Sequence, residues 1–160
     1  MNFNKKLEEL LGIGLDDYPG SDYSLIEEHF YSWSRHPRFI SRKKPTTPIF
    51  DLFEEVEVVT SPYLYNRMMT LIAPEFEPAQ IKTLENLVRE LAEIYGADRK
   101  GMLWLLEEEI EEILLAKWEG RVWEFDKYDE IHDIFLLISS EKRIELTIKE
   151  TGNLLDFLDD

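Results

Sequence analysis

The sequence predicts an α+β fold in which helices fill the N-terminal two-thirds of the chain and pack on a small C-terminal three-stranded antiparallel meander with a short terminal helix. Through residues 48–119, apolar residues recur every three or four positions, as on the buried face of a helix. After residue 120 the pattern changes to the alternation and continuous apolar runs of strands. Hydrophobic residues make up 44% of the chain, enough to build a core.

A chain of 160 residues has the size of one ordinary domain, so we expect residues 1–160 to form a single domain. Three stretches differ in character within it. Residues 1–47 are predicted to hold short helices and a basic connector. Residues 48–119 are predicted to be helical, and residues 120–160 to form the meander and the terminal helix.

The first stretch contains two predicted helices. Lys5–Leu11 has leucines at helical spacing, and Gly12 is a suitable end. Ser24 and Glu27 have the spacing of a capping box and predict a second helix, which Pro37 limits.

Two further helix starts share one chemistry. Thr47 precedes Pro48 and Ser61 precedes Pro62, so that each pair places a capping hydroxyl before a proline in the first helical position. Apolar residues follow each proline at helical spacing. Residues 56–60 also have strand propensity, which leaves the end of the first of these helices open.

The strongest helix signal begins near Pro78 and ends at Gly96, where a continuous apolar stripe stops. Asp98 is a suitable cap for another helix running to about Trp118, with Gly120 beyond it. This second helix has two apolar sectors, so we expect it to be covered on two sides.

The C-terminal stretch predicts three strands. Residues 121–126 are short and aromatic, Ile134–Ile138 is a continuous apolar run typical of a strand covered on both faces, and Arg143–Lys149 alternates cleanly. Ser139–Lys142 is short enough for a hairpin turn. Asn153–Leu158 predicts the terminal helix.

Net charge is unevenly distributed along the chain. Residues 1–47 carry seven basic and seven acidic side chains, whereas residues 48–160 carry eleven basic and twenty-seven acidic ones, which accounts for the whole net charge of −16. A negative field repels nucleic acid and anionic lipid and attracts cationic molecules. We therefore expect a basic protein partner rather than nucleic acid. The alternative is that the acidity only aids solubility.

A row of glutamates between residues 107 and 112 concentrates this charge. Like charges four residues apart destabilise a helix by roughly 0.2–0.5 kcal/mol per pair, and a basic partner would relieve that cost. The alternatives are a solvated outer face or a metal site, although one exposed row of carboxylates does not make a cation cage. The candidate partner-binding residues are these acids, further acids downstream and nearby aromatic anchors: Glu107, Glu108, Glu111, Glu112, Glu124, Asp126, Asp129, Trp118, Trp123 and Tyr128.

The connector before residue 48 is strongly basic and contains no acid over ten residues. Such a stretch can bind phosphate, contact RNA or dock an acidic surface. The alternative is that it pairs with the acidic half of the same chain. The candidate anion-binding residues are Arg35, His36, Arg38, Arg42, Lys43 and Lys44.

No motif specifies a reaction. The chain has no cysteine, which removes disulfides, thiolate nucleophiles and cysteine-ligated zinc. Dinucleotide, phosphate-loop, nucleophile-elbow and zinc-protease signatures are missing. We expect no cofactor and no metal. We also expect no signal peptide and no membrane span, which together favour a cytoplasmic protein.

These patterns favour an acidic, non-enzymatic binding protein that docks a basic protein partner. An inhibitor or immunity-type protein that neutralises a cationic toxin or nuclease has this physical character, because opposite charge accelerates capture. One alternative is a small carboxylate-based hydrolase with its site between helices and sheet. The other is a subunit of a larger assembly. The sequence leaves the oligomeric state open.

Overall fold

The computed structural model describes residues 3–15, 27–30, 37–60, 67–124 and 131–150. Three helices lie in these ranges: α1 (Phe3–Leu11), α2 (Ile81–Tyr95), which a 3-10 turn over Pro78–Gln80 precedes, and α3 (Glu107–Leu114). The strands are β1 (Glu27–Phe30), β2 (Pro37–Lys43), β3 (Glu55–Thr60), β4 (Arg67–Glu75), β5 (Arg121–Glu124), β6 (Ile131–Ile138) and β7 (Arg143–Glu150). They form one antiparallel sheet in the order β1-β2-β3-β4-β7-β6-β5.

The prediction that helices fill the N-terminal two-thirds of the chain is wrong. Strands β1 to β4 lie in the region that was predicted to be helical. Among the described residues, more are in strands than in helices. The C-terminal meander supplies three of the seven strands, and the sheet continues through β4 because β7 pairs with β4 from Arg67 to Glu75. The fold is therefore a seven-stranded sheet with three helices rather than a helical body on a small meander.

The helix predicted after Pro48 is replaced by a tight turn and a strand. Ile49 and Phe53 exchange two backbone hydrogen bonds, of 2.8 and 2.9 Å, across a turn in which Phe50 and Asp51 have positive φ. The apolar spacing that suggested a helix arises because the turn buries Ile49 and Phe53 while β3 begins immediately afterwards. Alternating valines in β3 then follow the strand period.

The helix predicted after Pro62 is strand β4. The apolar spacing that predicted a helix here comes from apolar residues on both faces of a strand: Met69 and Leu71 enter the core, whereas Met68 and Ile72 lie on the opposite face. The pairing of β4 with β7 shifts register between Ile72 and Glu75, around Pro74. Proline has no N–H for the ladder, so a bulge is the position where a strand tolerates it.

The last predicted helix is shorter than expected, because α3 covers eight of the residues between 98 and 118. The Asp98 carboxylate accepts the backbone N–H groups of Lys100 and Met102 at 3.0 and 2.8 Å. This side chain stabilises a compact loop instead of capping a helix, a competition that is common for aspartate.

Other predicted elements are confirmed. Helix α1 ends at Gly12 and α2 ends at Gly96, with φ values of 75° and 86°. The three C-terminal strands are present, and hydrogen bonds close the turn between Ser139 and Arg143. The predicted helix at 153–158 lies outside the described residues. Strand β6 is not covered on both faces as predicted, because Ile134 and Leu136 are buried whereas Phe135 and Leu137 are partly exposed.

The core lies between one face of the sheet and helices α1 and α2. Alternate residues of the central strands point into it, including Val56, Val58, Met69, Leu71, Ile134, Leu136, Ile144, Leu146 and Ile148. The helices contribute Leu7, Leu11, Leu84, Leu87, Val88 and Leu91. Burying each such side chain stabilises the fold by about 1.5–3 kcal/mol before conformational entropy is counted. Polar side chains lie on the other sheet face and on the exposed side of helix α3.

Gly120 lies where the chain enters β5. Its φ is 89°, and an added Cβ would lie 2.2 Å from the carbonyl oxygen of Leu136. We expect Gly120→Ala to lower the free energy of unfolding, measured by urea denaturation, by about 3 kcal/mol or more, because backbone atoms must move. Gly101→Ala is the matched control: its φ is 78° with nothing within 4 Å of the added atom, so about 1–2 kcal/mol is expected. Equal losses would contradict the steric explanation.

Candidate functional site

A buried ion pair fixes helix α3 against strand β5. The Glu109 carboxylate accepts hydrogen bonds from Arg121 through Oε2 (Nε, 2.8 Å) and Oε1 (Nη2, 2.6 Å). The indole N–H of Trp118 donates to the same carboxylate at 3.0 Å. Arg121 is 2% exposed and Glu109 8%. A pair this deep is favourable only with several hydrogen bonds of good geometry, and these contacts supply them.

Arg121 also fixes the segment before α3. Its guanidinium donates to the carbonyl oxygens of Leu103 and Trp104 at 3.3 and 2.9 Å, and lies 3.7 Å from a carboxylate oxygen of Asp98. One side chain therefore holds the 98–102 loop, the 103–106 segment and α3 together. Leu103, Trp104 and Leu106 of this segment are exposed, whereas Leu105 packs against the core.

The pKa of Glu109 reflects this environment. Burial by itself would raise the pKa of this carboxyl, but hydrogen bonds from Arg121, Trp118 and the backbone N–H of Leu106 outweigh it and lower the pKa. Glu109 is therefore ionised at neutral pH. It is a structural group, and the other four glutamates of α3 point away from it.

Those four glutamates form an exposed row: Glu107, Glu108, Glu111 and Glu112. Helical spacing places Glu107 beside Glu111 and Glu108 beside Glu112. Within the described ranges none of the four makes an ion pair or a side-chain hydrogen bond. Their mutual repulsion is therefore not relieved by a described side chain.

Large apolar side chains are exposed on the same segment. Trp104 is 61% exposed and Leu115 66%, and three other leucines between residues 103 and 114 are 44–52% exposed. Contiguous exposed apolar surface rimmed by polar groups is typical of an interaction site. We call this combined region the α3 surface; it comprises Leu103, Trp104, Leu106, Glu107, Glu108, Glu111, Glu112, Leu114 and Leu115.

A small groove continues the α3 surface at the end of the helix. It has a volume of about 190 Å³ and lies between the end of α3 and the connection from β4 to α2. Its apolar walls are formed by Phe76, Pro78, Ile113, Leu114, Leu115, Ala116 and Ile138. Glu75 and Lys142 also line it.

Two of the aromatic residues predicted as anchors are buried. Trp118 and Trp123 are 6% and 1% exposed, and their indole N–H groups donate to Glu109 and to the carbonyl oxygen of Gly96. Trp104, which was not among the predicted anchors, is 61% exposed. The sequence signal that could have identified Trp104 as an anchor is its position three residues before the row of glutamates. Asp126, Tyr128 and Asp129 lie outside the described residues.

Two described residues of the basic segment pair with strand β3. Arg42 lies 2.6 Å from Glu57, and Lys44 lies 3.9 Å from Glu55. Lys43 is half-buried in β2. Arg35 and His36 lie outside the described residues, and Arg38 is described only by its backbone in β2. Glu124, the remaining predicted acid, is exposed and pairs with Arg99 at 3.1 Å.

A second cleft, of about 460 Å³, lies on the sheet face opposite the core. Its lining includes Glu57 and Glu145 and the paired hydroxyls of Thr70 and Thr147, which are 3.1 Å apart. Burial raises the pKa of Glu145, and the neighbouring Glu57 raises it further. The hydrolase alternative requires a carboxyl with a raised pKa in a cleft; this one lies on the open sheet face, not between helices and sheet.

Within the described ranges no three His, Asp or Glu side chains are grouped to hold a metal ion. Of the described helices, none combines the length and apolar character needed to cross a bilayer. The chain has no significant match to a protein-family model, to a curated protein or to a solved structure. The α3 surface and the cleft are therefore the features of this protein that bear on function.

Glu109→Ala tests the buried ion pair. It removes the main acceptor of Arg121, and truncating one partner of a buried pair costs about 3–5 kcal/mol, measured as the free energy of unfolding in urea. Glu112→Ala, on the exposed side of the same helix, should cost less than about 0.5 kcal/mol.

The lowered pKa of Glu109 also predicts how stability depends on pH. The stabilisation by Glu109 is complete above the ordinary carboxyl pKa of 4.5 and is lost as pH falls through the folded-state pKa. Glu109→Gln should lack this part of the acid transition.

Glu145→Gln tests the open cleft. Because the folded-state pKa of Glu145 lies above the ordinary 4.5, stability falls as pH rises through that interval and the cost of ionisation is complete above the folded-state value. The amide should therefore raise the urea midpoint at pH 7, with the gain disappearing below the ordinary carboxyl pKa. Glu93→Gln, exposed on helix α2 and outside the lining of the cleft, is the control. A lower midpoint for Glu145→Gln at neutral pH would contradict the assignment.

Proposed function

We propose that this protein is a non-enzymatic binding protein that docks a basic protein partner on its α3 surface. One observation carries the proposal: four exposed carboxylates without a described partner lie beside exposed tryptophan and leucine side chains on one segment. A solvated acidic face does not require large apolar neighbours. A binding surface uses both kinds of group, because apolar contact supplies affinity and charge supplies attraction and specificity.

The two contributions differ in size. Relieving the repulsion of Glu107 with Glu111 and of Glu108 with Glu112 is worth roughly 0.2–0.5 kcal/mol per pair. Covering Trp104 and Leu115 gains about 25 cal/mol for each Å² of apolar area, so that one large side chain can supply more than both pairs together. Apolar contact should therefore dominate the affinity, whereas the carboxylates should dominate the association rate and its salt dependence.

Charge selects the class of partner. Two copies of a chain with net charge −16 repel each other, and a two-fold interface through α3 would bring the two acidic rows together. Nucleic acid and anionic lipid are disfavoured for the same reason. A protein with a basic, partly apolar surface is complementary to the carboxylates and to the apolar side chains of the α3 surface.

The finer form of the proposal is an inhibitor or immunity-type protein that neutralises a cationic toxin or nuclease in the cytoplasm. It is supported by the acidic surface and by a cysteine-free composition. The larger-assembly alternative also predicts exposed apolar surface, and the acidic row then specifies that the neighbouring subunit is basic.

The hydrolase alternative is favoured by one observation, the raised pKa of Glu145 in the open cleft. Its other requirement, a second carboxylate available for chemistry, is less well met. Glu57 already receives two hydrogen bonds from Arg42, and Glu55 lies within 4 Å of Lys44 and Arg143. The binding function is therefore the better supported of the two.

Changing the four α3 acids, Glu107, Glu108, Glu111 and Glu112, to glutamine tests the proposal. Immobilised wild-type protein should capture a basic protein from a lysate of its source cells at about 50 mM salt, and lose it at about 500 mM because exposed charges are screened. The glutamine variant should lose most of it at low salt. Recovery is measured by quantitative mass spectrometry.

The matched control replaces four exposed acids elsewhere, Glu9, Glu85, Glu93 and Glu141, with glutamine. It gives the same net charge of −12, four units above the wild-type −16, with the α3 surface intact. Capture by the control but not by the α3 variant would localise the site. Equal recovery by all three proteins would refute the proposed function.

A further inference from the structure

We infer that the groove at the end of α3 receives one large apolar side chain, presented between lysines or arginines on the basic partner. This inference rests on the proposed function, because the groove is continuous with the α3 surface through Leu114 and Leu115. It adds a specificity pocket: the partner is recognised by an apolar anchor in a defined position as well as by positive charge.

The size of the groove favours a side chain over a free ligand. Pockets for small molecules and cofactors usually measure about 300–1,000 Å³. This groove measures about 190 Å³. A volume below that range suits a single leucine, phenylalanine or tryptophan side chain, which is the usual anchor of a protein interface.

Seven of the nine side chains that line the groove are apolar, and the fold holds the walls formed by Ile113 and Phe76. Ile113 is 1% exposed and connects the groove to the core. On the opposite side, the backbone N–H of Phe76 donates to the carbonyl oxygen of Lys142 at 2.7 Å, and Pro78 begins the 3-10 turn before α2. A groove with fixed walls binds an anchor without first being ordered, which preserves affinity.

Charge complementarity defines what surrounds the anchor. The α3 glutamates Glu107 and Glu111 precede the groove along the helix, one turn apart, and Glu75 lies at its edge. Lys142 is the cation in the lining. Basic residues flanking an apolar anchor would meet these carboxylates, whereas an acidic segment, including one from a second copy of this chain, would meet repulsion.

Two short synthetic peptides test the inference: one in which lysines flank a single tryptophan, and the same peptide with alanine instead of tryptophan. Dissociation constants are measured by NMR titration of the full chain at low salt, with isoleucine methyl shifts reporting on Ile113 and Ile138. The tryptophan peptide should bind at least about tenfold more tightly, because its ring fills the groove.

Two variants localise the effect. Leu115→Ala removes an exposed wall of the groove and should reduce the advantage of the tryptophan peptide at least about threefold, without changing the affinity of the alanine peptide. Leu103→Ala, an equal truncation outside the groove lining, should leave that ratio unchanged. Circular dichroism checks that both variants are folded.

The outcomes separate the two claims. Salt-dependent binding of both peptides with equal affinity, lost in the α3 glutamine variant, would overturn the anchor groove and leave the proposed function standing. No binding of either peptide would overturn both. A tryptophan advantage that Leu115→Ala and Leu103→Ala reduce equally would also overturn the groove, since the contact would then be spread over the α3 surface.

Discussion

The ion pair between Arg121 and Glu109 is the interaction on which the surface of this protein depends. Its two partners come from the first position of an edge strand and from the inner side of α3, and both are removed from water. Burying two charges costs several kcal/mol per ion unless every donor and acceptor is used. The guanidinium uses four of its five N–H donors, two on the carboxylate and two on backbone carbonyls, and its Nη1 lies 3.7 Å from Asp98. A short helix with little apolar inner surface of its own is thereby fixed to the sheet.

That attachment explains how large apolar side chains can remain exposed. Helix α3 is held by charge and by Ile113 from the inside, so that Trp104, Leu114 and Leu115 are not needed for packing. The opposite arrangement holds on strand β3, whose carboxylates are paired with Arg42 and Lys44 of the preceding strand and loop. Pairing of the basic segment with acids of the same chain, which was the alternative interpretation, is therefore found on the sheet. The acidic row of α3 has no such partner among the described residues and is available to another protein.

The sequence failed most clearly where strands have apolar residues on both faces. In β4, Met68, Met69, Leu71 and Ile72 satisfy helical and strand spacing together, because a strand with apolar residues on both faces loses its alternation. The partner that decides between them, β7, lies far away in the sequence: the Thr70 and Thr147 hydroxyls that meet are 77 residues apart. Local patterns contain no information about such a contact. The pair Thr47 and Pro48 was likewise interpreted as the start of a helix, whereas in the structure a tight turn follows it.

The sequence by itself determined helices α1 and α2, the three C-terminal strands, the acidic character of the chain and the position of its glutamate row. Those features depend on local period, on glycine at helix ends and on composition, all of which act over a few residues. The tertiary structure alone decided that Glu109 is buried while its neighbours are exposed, and that Trp118 is in the core while Trp104 is at the surface. The reason is Arg121: its buried charge requires a carboxylate and carbonyl oxygens from another element, and that pairing sets which side of the segment faces water.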